Sequence, residues 1–402
     1  MGQDMTGSPT PPPKTVRRRS LGRRALMGSA LCLALAVAGA AVIVLVDGAS
    51  VALPGPSGPY AVGRLSYDWV DPSRPDPFAA HRGVRRELVV WIWYPARPTT
   101  APAGRYLPGA WGPLLAPGYA PIPAARLEDL RAHAVDHAPV ARAPAPYPVL
   151  VMEPGLGRIP LEYTTIAEDL ASHGYVVVGI TPTGSATAVV FADGRVVHAT
   201  AAAAEPDATS AAAYRRWGDA VVRVWTRDIA FVLARVQHLA LTPGSALAGR
   251  LDLRRLGVFG HSLGGAAAAE FCHLNLRCRA GADLDGDLFG SVTTAGLTQP
   301  FLFAHSDQGV CDYAGCADAR QAQRTVIAHG ARGTVDLTLR GTLHNNVTDA
   351  ALFSRFPLPR SLLLLGPIDG RQGLGLVARY LQAFFDRSLR PVASYPPTRP
   401  LR

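Results

Sequence analysis

Lysine occurs once in 402 residues, at Lys14, and only 17% of the residues are charged against 48% hydrophobic. Disordered chains carry the opposite balance, so the bulk of this one is globular. The formal charge is +10, and residues 1–46 supply +5 of it through Lys14, Arg17, Arg18, Arg19, Arg23 and Arg24 against Asp4. Elsewhere the arginines are scattered, without the clustered, aromatic-interleaved patch that a nucleic-acid groove requires, and no nucleic acid is expected as a partner. The chain also lacks a Gly-Lys-Ser/Thr phosphate cradle, a dinucleotide fingerprint in the right context and any internal repeat, so no nucleotide cofactor is expected. Cysteine is scarce, with five residues. Four of them, Cys272, Cys278, Cys311 and Cys316, lie beyond the N-terminal segment at spacings that fit zinc poorly, and no metal is expected. Asp283-Leu-Asp285-Gly-Asp287 resembles a calcium loop only superficially, because its glycine comes early and no Glu closes twelve residues.

One long uncharged run is present, Ala25 to Val46, 22 residues. At about 1.5 Å per residue it just spans a hydrocarbon layer of about 30 Å. All the nearby cations precede it and Asp47 follows, so it reads as a transmembrane anchor with the rest of the chain outside the cytoplasmic membrane. A signal peptide cleaved at Ser50-Val51-Ala52 is the alternative, giving a secreted protein. Arg18-Arg19 lacks the apolar residues a twin-arginine signal needs directly after the pair. An exported domain meets oxidising conditions, and the simplest pairing of its four cysteines is Cys272–Cys278 and Cys311–Cys316, one of three connectivities.

Composition divides the chain into a basic, Pro-rich tail at 1–24, the apolar run at 25–46, a Pro/Gly linker at 47–59, a domain at 60–390 and a tail at 391–402. The domain opens with strand-like Leu65–Val70 and Val84–Tyr94. A Pro/Ala/Gly-rich stretch, 95–147, follows and is expected to wrap the surface. From Pro148 short apolar runs alternate with helical periodicity: Val149–Met152, Tyr175–Ile180, Leu256–Phe259, Ala280–Leu284, Phe301–Ala304 and Val335–Leu339. Strands apolar on both faces require helices on both faces, hence an α/β fold with a mostly parallel sheet. The helices are expected at 161–173, 210–240, 263–275, 317–329 and 371–388. Asp193-Gly194 marks a hairpin over 188–198.

Leu256-Gly-Val-Phe-Gly260-His261-Ser262-Leu263-Gly264-Gly265 places Gly-x-Ser-x-Gly between an apolar strand and a helix-forming run, which is the setting of a nucleophile elbow. A serine needs a base to become nucleophilic, and the base needs a carboxylate to orient it, here in the chain order Ser, acid, His. That order removes His173, His198 and His238. His261, adjacent to the serine, is expected to pack below the elbow, whereas His344 lies in the polar turn after the last strong strand and is the candidate base. Pro154-Gly155-Leu156-Gly157 follows the strand at 149–152 and is the candidate oxyanion loop, with the N–H groups of Leu156 and Leu263 as donors. The acid is Asp285 or Asp307, each at the end of an apolar strand.

These segments resemble the platelet-activating factor acetylhydrolases and their bacterial relatives. The likeness rests on Val149-Leu-Val-Met-Glu-Pro-Gly155-Leu-Gly157, Asp169-Leu-Ala-Ser-His-Gly-Tyr175, Arg227-Asp-Ile-Ala-Phe231, Gly260-His-Ser-Leu-Gly-Gly265, Leu284-Asp285-Gly286 and Gly341-Thr-Leu-His344. It implies an α/β-hydrolase fold, a serine esterase acting on lipid-like or short-acyl esters, and Asp285 rather than Asp307 as the acid. The family usually has His-Gly where this chain has Pro154-Gly155 preceded by Glu153. An acyltransferase using the same residues and a non-catalytic binding module on the same fold are the alternatives. The stretch 95–147 and the hairpin 188–198 are expected to shape the substrate pocket.

Overall fold

The computed structural model describes residues 27–35, 37–39, 41–42, 51–119, 127, 129–206, 210–307, 315–354 and 357–390. The apolar runs become strands: β1 (Ala61–Pro75), β2 (Arg85–Ala96), β3 (Val135–Asp136), β4 (Tyr147–Glu153), β5 (Val176–Thr181), β6 (Ala188–Val190), β7 (Val196–His198), β8 (Leu251–His261), β9 (Cys278–Leu284), β10 (Phe301–Ser306) and β11 (Val335–Leu339). Nine form one sheet in the order β11-β10-β9-β8-β4-β5-β2-β1-β3, and β6 with β7 makes the hairpin apart. From β11 to β5 the pairs are parallel, while β2 pairs antiparallel with both β5 and β1.

Side chains alternate across this sheet into two cores. Val149 and Val151 of β4 and Val176, Val178 and Ile180 of β5 face one core. Leu150, Met152 and Val177 face the other. The helix Ala211–Leu241 covers the first with Val221, Val222, Trp225, Ile229, Val232, Leu233 and Val236, apolar at helical spacing, and Ser210 caps it by accepting the Ala213 N–H at 3.3 Å. The helix Leu263–Leu274 packs on the same face through Ala266–Ala269. On the opposite face lie Thr164–Ser172, through Ile166, Ala167, Leu170 and Ala171, and Gly370–Leu389, through Leu374, Val377, Leu381, Phe384 and Phe385. Asp369 caps the latter through the Gln372 N–H at 3.0 Å.

This layout fixes where a site can form. After β4 the chain crosses on one face to β5; after β8 it crosses on the other face to β9. The two neighbouring strands therefore send their connections to opposite sides, and a crevice opens beyond their carboxyl ends.

Three expectations differ from what is found. Among the described residues no helix is long and apolar enough to cross a membrane. Within the expected span 25–46, residues 27–35, 37–39 and 41–42 are helical and exposed, and the others lie outside the described residues. The segment Pro54–Pro59 is no free spacer. The Ser57 N–H reaches Asp169 Oδ1 at 2.8 Å, the Gly58 N–H reaches Ser172 Oγ at 2.9 Å, and Leu53 is buried in the core. Its backbone donors find partners on the helix Thr164–Ser172 and hold it to the domain. The stretch 95–147 does not simply wrap the surface: among its described residues Tyr106, Leu107, Trp111, Leu115, Tyr119 and Leu127 are buried in the core, and Val135–Asp136 adds β3 at the sheet edge beside β1.

Of the cysteines, Cys272 and Cys278 are bonded to each other. Cys316 is also in a disulfide, and Cys311 lies outside the described residues. Cys32 is a free thiol.

A buried ionic cluster joins β2 to the long helix. Arg86 Nη2 meets Asp228 Oδ2 at 2.6 Å, its Nη1 meets Asp76 Oδ1 at 3.1 Å, and Arg74 Nη2 reaches Asp228 Oδ1 at 2.8 Å. Removing one member strands the other charge away from water, at a cost of about 3–5 kcal/mol. Arg86→Met should thus be strongly destabilising in urea titrations, and adding Asp228→Leu should recover part of the loss. Strictly additive losses would show the two side chains to be uncoupled.

Candidate active site

Ser262 stands between β8 and the helix Leu263–Leu274 at φ 55, ψ −126, a left-handed conformation costly for any residue with a side chain. Its neighbours permit the turn. A Cβ at Gly260 would lie 2.2 Å from the Gly264 carbonyl carbon, and one at Gly264 would lie 2.4 Å from the carbonyl oxygens of Glu153 and Pro154. The two glycines therefore let strand, turn and helix approach one another. The Ser262 N–H donates to Leu284 O at 2.9 Å, tying the turn to the end of β9.

Asp285, one residue beyond β9, also has positive φ, 59. Its N–H donates to Ala304 O at 2.8 Å, and its Oδ1 accepts the Ser306 N–H at 2.6 Å. Its Oδ2 accepts from His344 Nδ1 at 2.7 Å. Burial pushes the carboxyl up, but the hydrogen bond and charge of His344 and the Ser306 N–H outweigh this and lower it to about 2. His344 opens a short turn after β11 whose shape is set by Asn346, the Oδ1 of which accepts the N–H groups of Leu343 at 2.7 Å and Gly366 at 2.6 Å.

Ser262, Asp285, His344, Leu156 and Leu263 all line one cavity of ≈590 Å³. The Ser262 hydroxyl and His344 share it without a hydrogen bond between them, a contact that commonly tightens only around substrate. The Pro154–Gly157 turn is held by Gly157 N–H to Ser185 O at 3.0 Å and Gly155 N–H to Tyr163 Oη at 3.0 Å. The N–H groups of Leu156 and Leu263 have no acceptor among the described residues. Asp307 lies elsewhere: its Oδ2 accepts the Gly341 N–H at 2.9 Å and its own N–H donates to Thr342 O at 3.0 Å, so it braces the turn that bears His344 from outside. Asp283 is not the partner of His344. It accepts the Gly286 N–H at 2.9 Å, and burial beside ionised Asp285 raises its carboxyl well above the usual range.

The cavity walls are not those expected. Among the described residues none of 95–147 and none of the hairpin 188–198 lines it. Tyr214 and Trp217 from the start of the long helix, Phe289 from the loop after β9, and Arg320, Gln323 and Ile327 from the helix Cys316–Ala328 do so, with Glu205 and Asp287. The rings of Tyr214 and Phe289 meet edge-on at 5.4 Å between centroids. These residues are distant in sequence and belong to no local motif; the pairing of Tyr214 with Trp217 at helical spacing is their only trace. Tyr163 escaped notice for the same reason.

Residues 242–393 match the family model of platelet-activating factor acetylhydrolase, isoform II. A probable 1-alkyl-2-acetylglycerophosphocholine esterase of Arthroderma benhamiae is 30% identical over 160 residues, 39% of this chain and 36% of that protein. A platelet-activating factor acetylhydrolase of Cavia porcellus is 22% identical over 263 residues, 60% of this chain and 58% of the other. The chain thus spans between about a third and three-fifths of the curated relatives it matches. Among solved structures, a ferulic acid esterase from Streptomyces cinnamoneus superposes with a TM-score of 0.69 at 29% identity, covering 87% of this chain and 97% of that one. The nine-stranded sheet and its elbow are those of an α/β-hydrolase, and the chain is platelet-activating factor acetylhydrolase-like in sequence.

Glu153, just before the Pro154–Gly157 turn, is buried, and neither carboxyl oxygen has a partner among the described residues. Burial raises it well above 4.5, Asp228 adds to this and Arg86 offsets part. A raised carboxyl gives the folded state its full stability below about pH 4.5, and stability falls as pH climbs toward the raised value. Glu153→Gln carries no such proton, so its midpoint temperature should gain on the parent's between pH 5 and pH 9. A gap that stays constant across that range would contradict a protonated Glu153.

Proposed function

We propose that this acetylhydrolase-like chain is a serine carboxylic-ester hydrolase working through an acyl-enzyme. The observation that carries the reading is the meeting, in one cavity, of a serine on a strained elbow with a histidine already paired to a carboxylate at 2.7 Å. Ser262 Oγ attacks the ester carbonyl while His344 Nε2 takes its proton. Asp285 holds His344 Nδ1–H and stabilises the imidazolium that forms. The developing oxyanion is received by the N–H groups of Leu156 and Leu263, each worth about 3 kcal/mol. His344 then returns the proton to the departing alcohol, and a water activated by the same imidazole frees the acid and Ser262. Asp285 stays ionised far below neutral pH, so the pair is ready whenever His344 is neutral.

The relatives' printed names support lipid-like, short-acyl esters, and the aromatic wall of Tyr214, Trp217 and Phe289 supports substrates with a flat or apolar group beside the reacting carbonyl. The cations preceding the apolar run and the disulfides support action outside the cytoplasmic membrane, anchored or secreted.

Ser262→Ala should abolish hydrolysis of aryl esters with the fold intact, and activity within tenfold of the parent would sink the mechanism. Asp285→Asn should lose about 10⁴ in turnover, following the serine-protease precedent, whereas Asp307→Asn, which touches only a backbone turn, should lose far less. The reverse ranking would move the acid to Asp307. Products formed with an added alcohol separate hydrolysis from acyl transfer. A panel of aryl esters of rising acyl length beside an oxidised phospholipid sizes the acyl site.

A further inference from the structure

His261 precedes the nucleophile, is buried, and takes no part in the chemistry above. Its Nε2 lies 2.9 Å from the carbonyl oxygen of His344, and its Nδ1 lies 2.8 Å from Tyr163 Oη. A carbonyl oxygen only accepts, so Nε2 carries the proton and Nδ1 is bare. Tyr163 Oη then donates to Nδ1 and uses a lone pair to accept the Gly155 N–H at 3.0 Å. Every donor and acceptor in the series has one possible role: Gly155 N–H to Tyr163, Tyr163 O–H to His261, His261 N–H to His344 O. Burial, reinforced by the nearby His344 ring, keeps this imidazole neutral, as the series requires. The two imidazoles lie 4.5 Å apart between centroids, and Gly155 leaves His261 room, since a Cβ there would come within 3.0 Å of Nδ1.

The series connects two segments more than 180 residues apart. One end is the turn that presents the Leu156 N–H, and the other is the backbone of the residue proposed as base. We infer that His261, acting with Tyr163, is a positioning residue that sets the distance between the oxyanion turn and the His344 loop. It rests on the proposed esterase reading, and it assigns to the residue beside the serine a role in aligning both partners of that serine at once. Displacement of a reacting group by about 1 Å costs about 100-fold in rate, so loss of the link acts on turnover rather than on substrate capture.

The test compares Tyr163→Phe, His261→Gln and His261→Leu in the full chain on one aryl ester, with Ser262→Ala alongside. Tyr163→Phe removes one hydroxyl and keeps the packing; its kcat should fall at least about tenfold with KM within about threefold. His261→Leu should fall about 100-fold, and His261→Gln, which retains an N–H for the His344 carbonyl, should regain most of that. Nitrogen-15 spectra of the parent should show His261 protonated at Nε2 and bare at Nδ1, and the low-field proton shared by His344 and Asp285 should broaden in Tyr163→Phe. A folded Tyr163→Phe with parental kcat and an unchanged low-field proton would overturn the inference, as would equal impairment of the Gln and Leu variants, which marks packing alone. If His261→Leu fails to fold, the tyrosine variant and the parent's spectra decide. Residual activity in Ser262→Ala would instead refute the esterase reading, so the two failures are distinguishable.

Discussion

The backbone at Ser262 is the constraint from which the rest of the site follows. A serine at φ 55 leaves its hydroxyl at the tip of a turn with no room for side chains at Gly260 and Gly264. Such a conformation persists only where the surroundings over-determine it. Here they do: β8 lies between β4 and β9, the helix after it packs on the sheet through Ala266–Ala269, and the Ser262 N–H is anchored to Leu284. The strain is held by the sheet, so the Ser262 hydroxyl is already presented at the tip of the turn.

The same sheet gathers the remaining groups. Because the chain turns to opposite faces after β4 and β8, the Pro154–Gly157 turn and the elbow flank one crevice. β9 and β10 end beside it and hold Asp285 through the Ala304 carbonyl and the Ser306 N–H. The loop after β11 brings His344 to Asp285, and Asn346 and Asp307 hold that loop through backbone contacts. Three strand ends thus deliver one charge pair. The long helix and the helix Cys316–Ala328 supply the walls, so the shape of the cavity is set by parts of the chain remote from the motifs.

Buried polar groups near the site show how function and stability trade. The donors around Asp285 lower its carboxyl, whereas burial raises those of Glu153 and Asp283 well above the usual carboxylate range. Glu153, whose buried carboxyl has no partner among the described residues, costs stability that an apolar residue would not. In the Arg86–Asp228–Arg74 cluster the buried charges are paired, which avoids the larger cost of a lone buried charge.

The sequence determined the α/β class, because runs apolar on both faces have only one stable arrangement, and the strands at Val149–Met152, Leu256–Phe259 and Phe301–Ala304 lie within those observed. It also determined the elbow, since Gly-x-Ser-x-Gly between a strand and a helix former is a local pattern enforced by local sterics. The order Ser, acid, His selected His344, but spacing left Asp285 and Asp307 equivalent: both follow apolar strands and reach the same sheet edge. The family resemblance pointed to Asp285, and the tertiary structure supplies the physical difference, a 2.7 Å contact to His344 made by one and a backbone brace made by the other. The docking of Pro54–Pro59 was equally invisible, because a Pro/Gly composition describes stiffness and not the donors waiting on a helix. So were the cavity walls and the bridge through His261 and Tyr163. Those depend on side chains 98 residues apart meeting at hydrogen-bond distance, and no periodicity or spacing records that meeting.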